Sequence, residues 1–159
     1  MQSENVMPES QVMHTSKKDP KSVLNSISSH LPTMERAVLL QSKAAEYGFD
    51  WSELEPVFEK LQEEINELKH ECQQTSLSAD HAKHQLRLQD ELGDVIFCCM
   101  NLARFLKVDP DKALNSTNNK FERRFGFIEA YFTKQGKSLK DISLEELDSV
   151  WDLAKTNGL

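Results

Sequence analysis

Glycine and proline are scarce in this chain, five of each. That shortage disfavours a turn-rich β fold and leaves room for long helices. Cysteine is scarcer: Cys72, Cys98 and Cys99, with no C-x-x-C pair. Such an odd set is neither a disulfide framework nor a zinc site; it points to a reducing compartment, with Cys98 and Cys99 as small core residues. No run is long and apolar enough to span a membrane, the densest being Val95 to Met100. No apolar segment like a signal peptide opens the chain, and the expectation is a cytoplasmic protein. A basic excess is also missing. The net charge of −7 argues against nucleic acid or an anionic membrane as partner. An acidic protein can still hold a polyphosphate when divalent cations sit between the two.

What is present reads as helix. Residues 1–20 mix polar residues with prolines and lack apolar periodicity, the pattern of a disordered tail or linker remnant, and residues 21–159 form one domain. Helix one is expected from Thr33 to Tyr47, entered at Pro32 and stopped at Gly48. Helix two starts at Ser52, where Ser52 and Glu55 have the form of a capping box, and carries Leu54, Val57, Phe58, Leu61, Ile65 and Leu68 at helical spacing. A break follows over residues 72–82, with Ser78 or Asp80 as a helix start. Helix three runs from His81 to Leu106, with Leu88, Leu92, Val95, Ile96, Cys99, Ala103 and Leu106 as its main stripe. Phe97, Met100 and Phe105 make its second half apolar nearly all round, which suits a central helix or a subunit interface. Helix four is capped at Asp109-Pro110 and runs to Gln135, striped by Leu114, Thr117, Phe121, Phe125, Ile128 and Phe132. A short fifth helix from Ser143 to Lys155 opens on a second capping box, Ser143 with Glu146. The fold class is all-α, a four-helix-bundle-like domain with a short C-terminal helix.

Two acidic clusters stand out. Glu63, Glu64 and Glu67 lie on helix two; Glu91 and Asp94 lie on helix three. At about 100° per residue Glu64 falls at the edge of its apolar stripe and Glu91 at the edge of its own, whereas Glu63 points away. Each pair of carboxylates has a basic residue one turn before it, Lys60 and Arg87. If helices two and three pack antiparallel, Glu64, Glu67, Glu91 and Asp94 meet. Like charges that close raise one another's pKa, and a hard divalent cation removes the conflict. Oxygen ligands without His or Cys favour Mg²⁺ or Mn²⁺ over zinc. With Lys120 and Arg124 sharing one edge of helix four, four cations could then face phosphate oxygens, a set suited to hydrolysing a nucleoside triphosphate. The alternative is a solvated face of i,i+4 ion pairs. Glu67-x-x-His70 also hints at a di-iron bundle, but Glu91 is followed by Asp94 rather than His. His81 and His84 fall in the polar break and read as solvated. Trp151 suits a core position and could also stack on a base.

These residues resemble the MazG nucleoside triphosphate pyrophosphohydrolases of the all-α NTP pyrophosphatase superfamily. The family pattern EExxE then ExxD reads here as Glu63-Glu64-Ile65-Asn66-Glu67, then Glu91-Leu92-Gly93-Asp94. The resemblance continues through GDVIFCCMNLAR, NKFERRF and WDLAK and covers about residues 21–157. It implies Mg²⁺-dependent hydrolysis of a nucleoside triphosphate to the monophosphate and pyrophosphate, with Glu64, Glu67, Glu91 and Asp94 as metal ligands and catalytic residues. It implies nucleotide contacts by Lys60, Arg87, Lys120, Arg124 and Trp151, and a homodimer. Many members carry two such domains, and this chain matches the C-terminal one. Asn66 stands where Asp is common, and Arg87 where Lys can occur. The expected activity is broad house-cleaning of nucleotides. Its rivals are a narrow dUTP, dCTP or phosphoribosyl-ATP pyrophosphohydrolase, and a non-catalytic helical dimer.

Overall fold

The computed structural model describes residues 22–74 and 81–159. The tail expected over residues 1–20 and the helix start expected at Ser78 or Asp80 lie outside them. Among the described residues every regular element is helical, as the sequence implies. Five α-helices follow in order: α1 Thr33–Ala45, α2 Glu55–Gln73, α3 His81–Phe105, α4 Pro110–Thr133 and α5 Leu144–Thr156. Single 3-10 turns lie at Val23–Ser26 and Leu139–Asp141.

Local chemistry sets most boundaries. Gly48 (φ 83) and Gly136 (φ 69) take the left-handed conformation past the ends of α1 and α4, which costs glycine nothing. Asp109 caps α4 by accepting from the Lys112 amide at 3.1 Å, with Pro110 in the first turn. The Ser143–Glu146 capping box forms at α5. The one expected at Ser52 does not: α2 begins three residues later, behind Leu54, without a side-chain cap. The connector is held elsewhere, because Asp50 accepts from both terminal nitrogens of Arg104 on α3, at 2.6 and 2.9 Å. Residues 52–54 form bends rather than a helical turn.

α2 and α3 pack along their length, and α1 lies on α3. The α2–α3 pair is antiparallel, since Glu71 late in α2 meets Arg87 early in α3, while Glu64, earlier in α2, meets Glu91 later in α3. α4 and α5 form a second hairpin around Ile128, Phe132 and Val150, with Leu147 and Trp151 against them.

The apolar stripes fare unequally. On α4 only Ile128 and Phe132 are buried; Leu114, Phe121 and Phe125 stay exposed. On α3 the expected main stripe is largely uncovered, with Leu92 and Ile96 each 49% exposed and Leu106 50%. Cys99, expected in the core, is exposed too. The reason is that the second half of α3 is apolar almost all round, so its periodicity there has no single direction. Its polar residues decide instead: His84 and Asn101 are buried on the face turned to α2 and α1.

The two serine caps differ in a measurable way. Ser143→Ala should cost about 1 kcal/mol of stability in urea unfolding, and Ser52→Ala close to nothing.

Candidate metal centre and adjoining cavity

The α2–α3 seam is polar at its centre. Spacings of three and four carry Lys60, Glu64, Glu67 and Glu71 down α2, and His84, Arg87, Glu91, Asp94, Cys98 and Asn101 back along α3. Such alternation keeps one edge of each helix on the other.

At the centre, carboxylate oxygens of Glu64, Glu67 and Glu91 lie within 4.8 Å of one another. Glu64 is buried, at 6% exposure. Its Oε1 accepts from Lys60 Nζ at 2.7 Å, and Lys60 also reaches Glu63 Oε1 at 2.9 Å. Those two hydrogen bonds, Glu64's first, raise the Lys60 pKa and keep the amine charged. Glu63 itself is exposed, in agreement with its outward direction in the sequence. Glu91 Oε2 is buried with no hydrogen-bond partner among the described residues. Its pKa is pushed up first by burial and then by the charges of Glu67, Asp94, Glu64 and Glu71. An orphaned carboxylate oxygen among acids needs a proton or a cation. The all-oxygen donor set fits a hard divalent ion such as Mg²⁺ or Mn²⁺. Asp94 stands apart from the trio: it is exposed and lines the cavity beyond Glu64.

On one side of the trio is an ion cluster. Glu71 Oε1 accepts from Arg87 Nε at 2.6 Å and pairs with His84 Nδ1 at 2.8 Å. Burial pushes the Glu71 carboxyl up, but these two partners outweigh it and hold its pKa below the usual range. His84 is 1% exposed, so the reading of it as solvated is corrected. It sits one turn before Arg87 on the seam. Extending the three-and-four spacing outward from the acids would have found Glu71, His84 and Asn101.

On the other side, a cavity of about 550 Å³ runs between α1, the 49–51 connector and α3. Leu24, Leu40, Ala44, Phe49, Trp51 and Phe97 give it an apolar wall. Lys60, Glu64 and Asp94 stand in the same lining, so the cavity adjoins the carboxylates directly.

The remaining expected contacts are not brought here. Arg124 Nε donates to the Leu159 carbonyl at 2.8 Å, and its guanidinium lies 5.5 Å from the Trp151 ring. Trp151 packs on Phe121 and on the α4–α5 core. Lys120 is half-buried on α4. Neither the cavity nor the acidic groove formed by Glu63, Asn66, Glu67, His70, Glu71 and Glu91 takes a lining residue from α4 or α5.

Among known proteins, residues 52–126 match the model of the MazG nucleotide pyrophosphohydrolase domain. A Thermotoga maritima protein named nucleoside triphosphate pyrophosphohydrolase/pyrophosphatase MazG is 37% identical over 138 residues, 87% of this chain and 50% of that protein. The nucleoside triphosphate pyrophosphohydrolase of Escherichia coli K12 is 37% identical over 134 residues, 84% of this chain and 49% of its own length. The uncharacterized Bacillus subtilis protein YabN is 46% identical over 74 residues, 46% of this chain and 15% of that protein. The chain thus spans about half the length of the first two relatives.

The raised Glu91 pKa has a definite sign. A divalent ion must displace the Glu91 proton, so Mn²⁺ affinity measured by calorimetry should fall as pH drops through that raised value. Without metal, ionising Glu91 costs stability as pH rises. Glu91→Gln should therefore raise the melting temperature of the metal-free protein near neutral pH while weakening Mn²⁺ binding about tenfold or more. A variant with lower stability and unchanged Mn²⁺ affinity would contradict the assignment.

Proposed function

The chain carries a MazG nucleotide pyrophosphohydrolase domain at residues 52–126, and from that premise we propose that it hydrolyses nucleoside triphosphates to the monophosphate and pyrophosphate with Mg²⁺. The observation that carries this reading is the carboxylate trio with its partnerless Glu91 oxygen, opening on a cavity of nucleoside size. Glu64, Glu67, Glu91 and Asp94 would hold the metal. When bound, the ion supplies charge stabilisation at a phosphoryl oxygen and lowers the pKa of water. Manganese could replace magnesium on the same oxygens.

The chain's own groups then have distinct tasks. Lys60 exchanges its bond to exposed Glu63 for a phosphate oxygen. Arg87 is gripped through Nε by Glu71, which leaves Nη1 for a second phosphate oxygen. The apolar cavity takes the nucleoside and keeps water from the acidic seam except at its mouth. A water oxygen bonds to the α- or β-phosphorus as the P–O bond bridging them breaks; the water's proton passes to a seam carboxylate or to solvent, and the monophosphate and pyrophosphate separate. Cys98 and Cys99 are reduced thiols, which suits a reducing cytoplasm.

The active form is a homodimer. Lys120, Arg124 and Trp151 do not reach the acids of their own chain, and exposed apolar side chains run along α3 (Leu92, Ile96) and α4 (Leu114, Phe121, Phe125). Exposed rows of this kind are what an interface covers. A second copy would bury them and could bring its own α4 cations to this acidic groove. The substrate range is broad across bases, filtered by the cavity rather than limited to one nucleotide.

ATP with Mg²⁺ should yield AMP and pyrophosphate; ADP and phosphate would oppose the reading. Glu64→Ala and Asp94→Ala should each lower kcat/KM by about 100-fold or more. Inactive Glu64→Ala and Arg124→Ala proteins, mixed and allowed to exchange subunits, should regain part of the activity, because one site in the mixed dimer keeps both groups. No recovery despite exchange would place all the catalytic groups on one chain.

A further inference from the structure

The cavity contains two side-chain amides whose orientations are fixed by their partners. Asn101, 7% exposed, accepts on Oδ1 from both Nε (3.0 Å) and Nη2 (2.8 Å) of Arg104. A guanidinium only donates, so the oxygen must face it and Nδ2 must face away. Arg104 is fixed in turn by Asp50, whose pKa is lowered, mainly by its hydrogen bond from Arg104. Asn101 Nδ2 has no partner among the described residues, and Asn101 lines the cavity.

Gln41 on α1 is fixed the same way. Its Nε2 donates to the Phe97 carbonyl at 2.9 Å, so its oxygen cannot take that place. Gln41 Oε1 is buried and without a hydrogen-bond partner, in the wall of the same cavity. The cavity lining therefore holds an oriented donor and an orphaned acceptor beside the apolar side chains of Leu40, Ala44 and Phe97. Leaving such groups unmet is costly, and a ligand that meets them gains accordingly.

We propose that Asn101, locked by the Asp50–Arg104 pair, is a specificity-determining residue that donates from Nδ2 to an acceptor on the substrate's base, with Gln41 Oε1 taking the neighbouring N–H. The ligand class is a planar heterocycle with a donor and an acceptor side by side on one edge. The aromatic wall supplies stacking and the amides supply selection. Arg104 and Asp50 are positioning residues, acting through Asn101. This rests on the reading of the cavity as the nucleoside subsite.

The test uses the full chain with Mg²⁺ and the α,β-methylene analogues of ATP, GTP, CTP and UTP. Calorimetry gives four dissociation constants, and kcat/KM on the parent nucleotides gives a second ordering. Asn101→Asp keeps an oxygen toward Arg104 but replaces the cavity-facing donor with an acceptor. The nucleotide preferred by the unaltered protein should lose about tenfold or more, and the order of the four should change. Arg104→Lys keeps a charge for Asp50 but lacks the Nε contact, so the Asn101 amide is free to turn over; the four constants should converge. If Asn101→Asp does not fold by circular dichroism, Arg104→Lys carries the test alone. An unchanged order in folded variants overturns this inference and leaves the pyrophosphohydrolase reading standing. An unaltered protein that binds none of the four overturns both.

Discussion

The repulsion among Glu64, Glu67 and Glu91 is the constraint on which the rest depends. Two antiparallel helices press their carboxylates together at a partly buried seam. Nothing among the described residues fully neutralises them: Lys60 serves Glu64, Arg87 and His84 serve Glu71, and Glu91 is left with an unmet oxygen. A helical pair that wanted only stability would place leucine there. Keeping three acids in contact makes sense when a cation completes the site, and the neighbouring cations then have an anionic substrate to meet. The seam is thus arranged along its length, with a guanidinium held by carboxylate and imidazole at one end, clustered carboxylate oxygens in the middle, and an apolar cavity with oriented amides at the other.

The same sequence economy explains the uncovered surfaces. The described part of α3 and α4 carries more apolar surface than its neighbours cover. α3 spends one edge on the acidic seam, one side on α1, and leaves Leu92 and Ile96 open. α4 gives only its C-terminal half to α5. Neither the cavity nor the acidic groove takes a lining residue from that hairpin.

Much of this was legible in the residues. The all-helical fold follows from scarce glycine and proline and clear 3.6-residue periodicity, and the acids announced themselves by spacing three apart at stripe edges on two helices. What misled was local pattern without tertiary context. Ser52-x-x-Glu55 has the form of a cap, yet the Asp50–Arg104 pair holds the connector in a different path. His84 lies beside a polar break, which made it look solvated, although it faces Glu71 across the seam. The expected α3 stripe follows Leu88, Leu92, Val95, Ile96, Cys99, Ala103 and Leu106, while the buried face is marked by His84, Met100 and Asn101. No periodicity within α4 could say that Arg124 is taken up by Leu159 and the Trp151 ring, because that depends on how the α4–α5 hairpin packs, not on its register.

The most direct test of the account is where a divalent ion sits. Crystals grown with Mn²⁺ and an α,β-methylene nucleotide should show a manganese anomalous peak within coordination distance of oxygens from Glu64, Glu67 and Glu91, with the base in the cavity beside Phe97 and Asn101. Anomalous density elsewhere, or none between these carboxylates at saturating Mn²⁺, would contradict the claim that the seam is built around a cation.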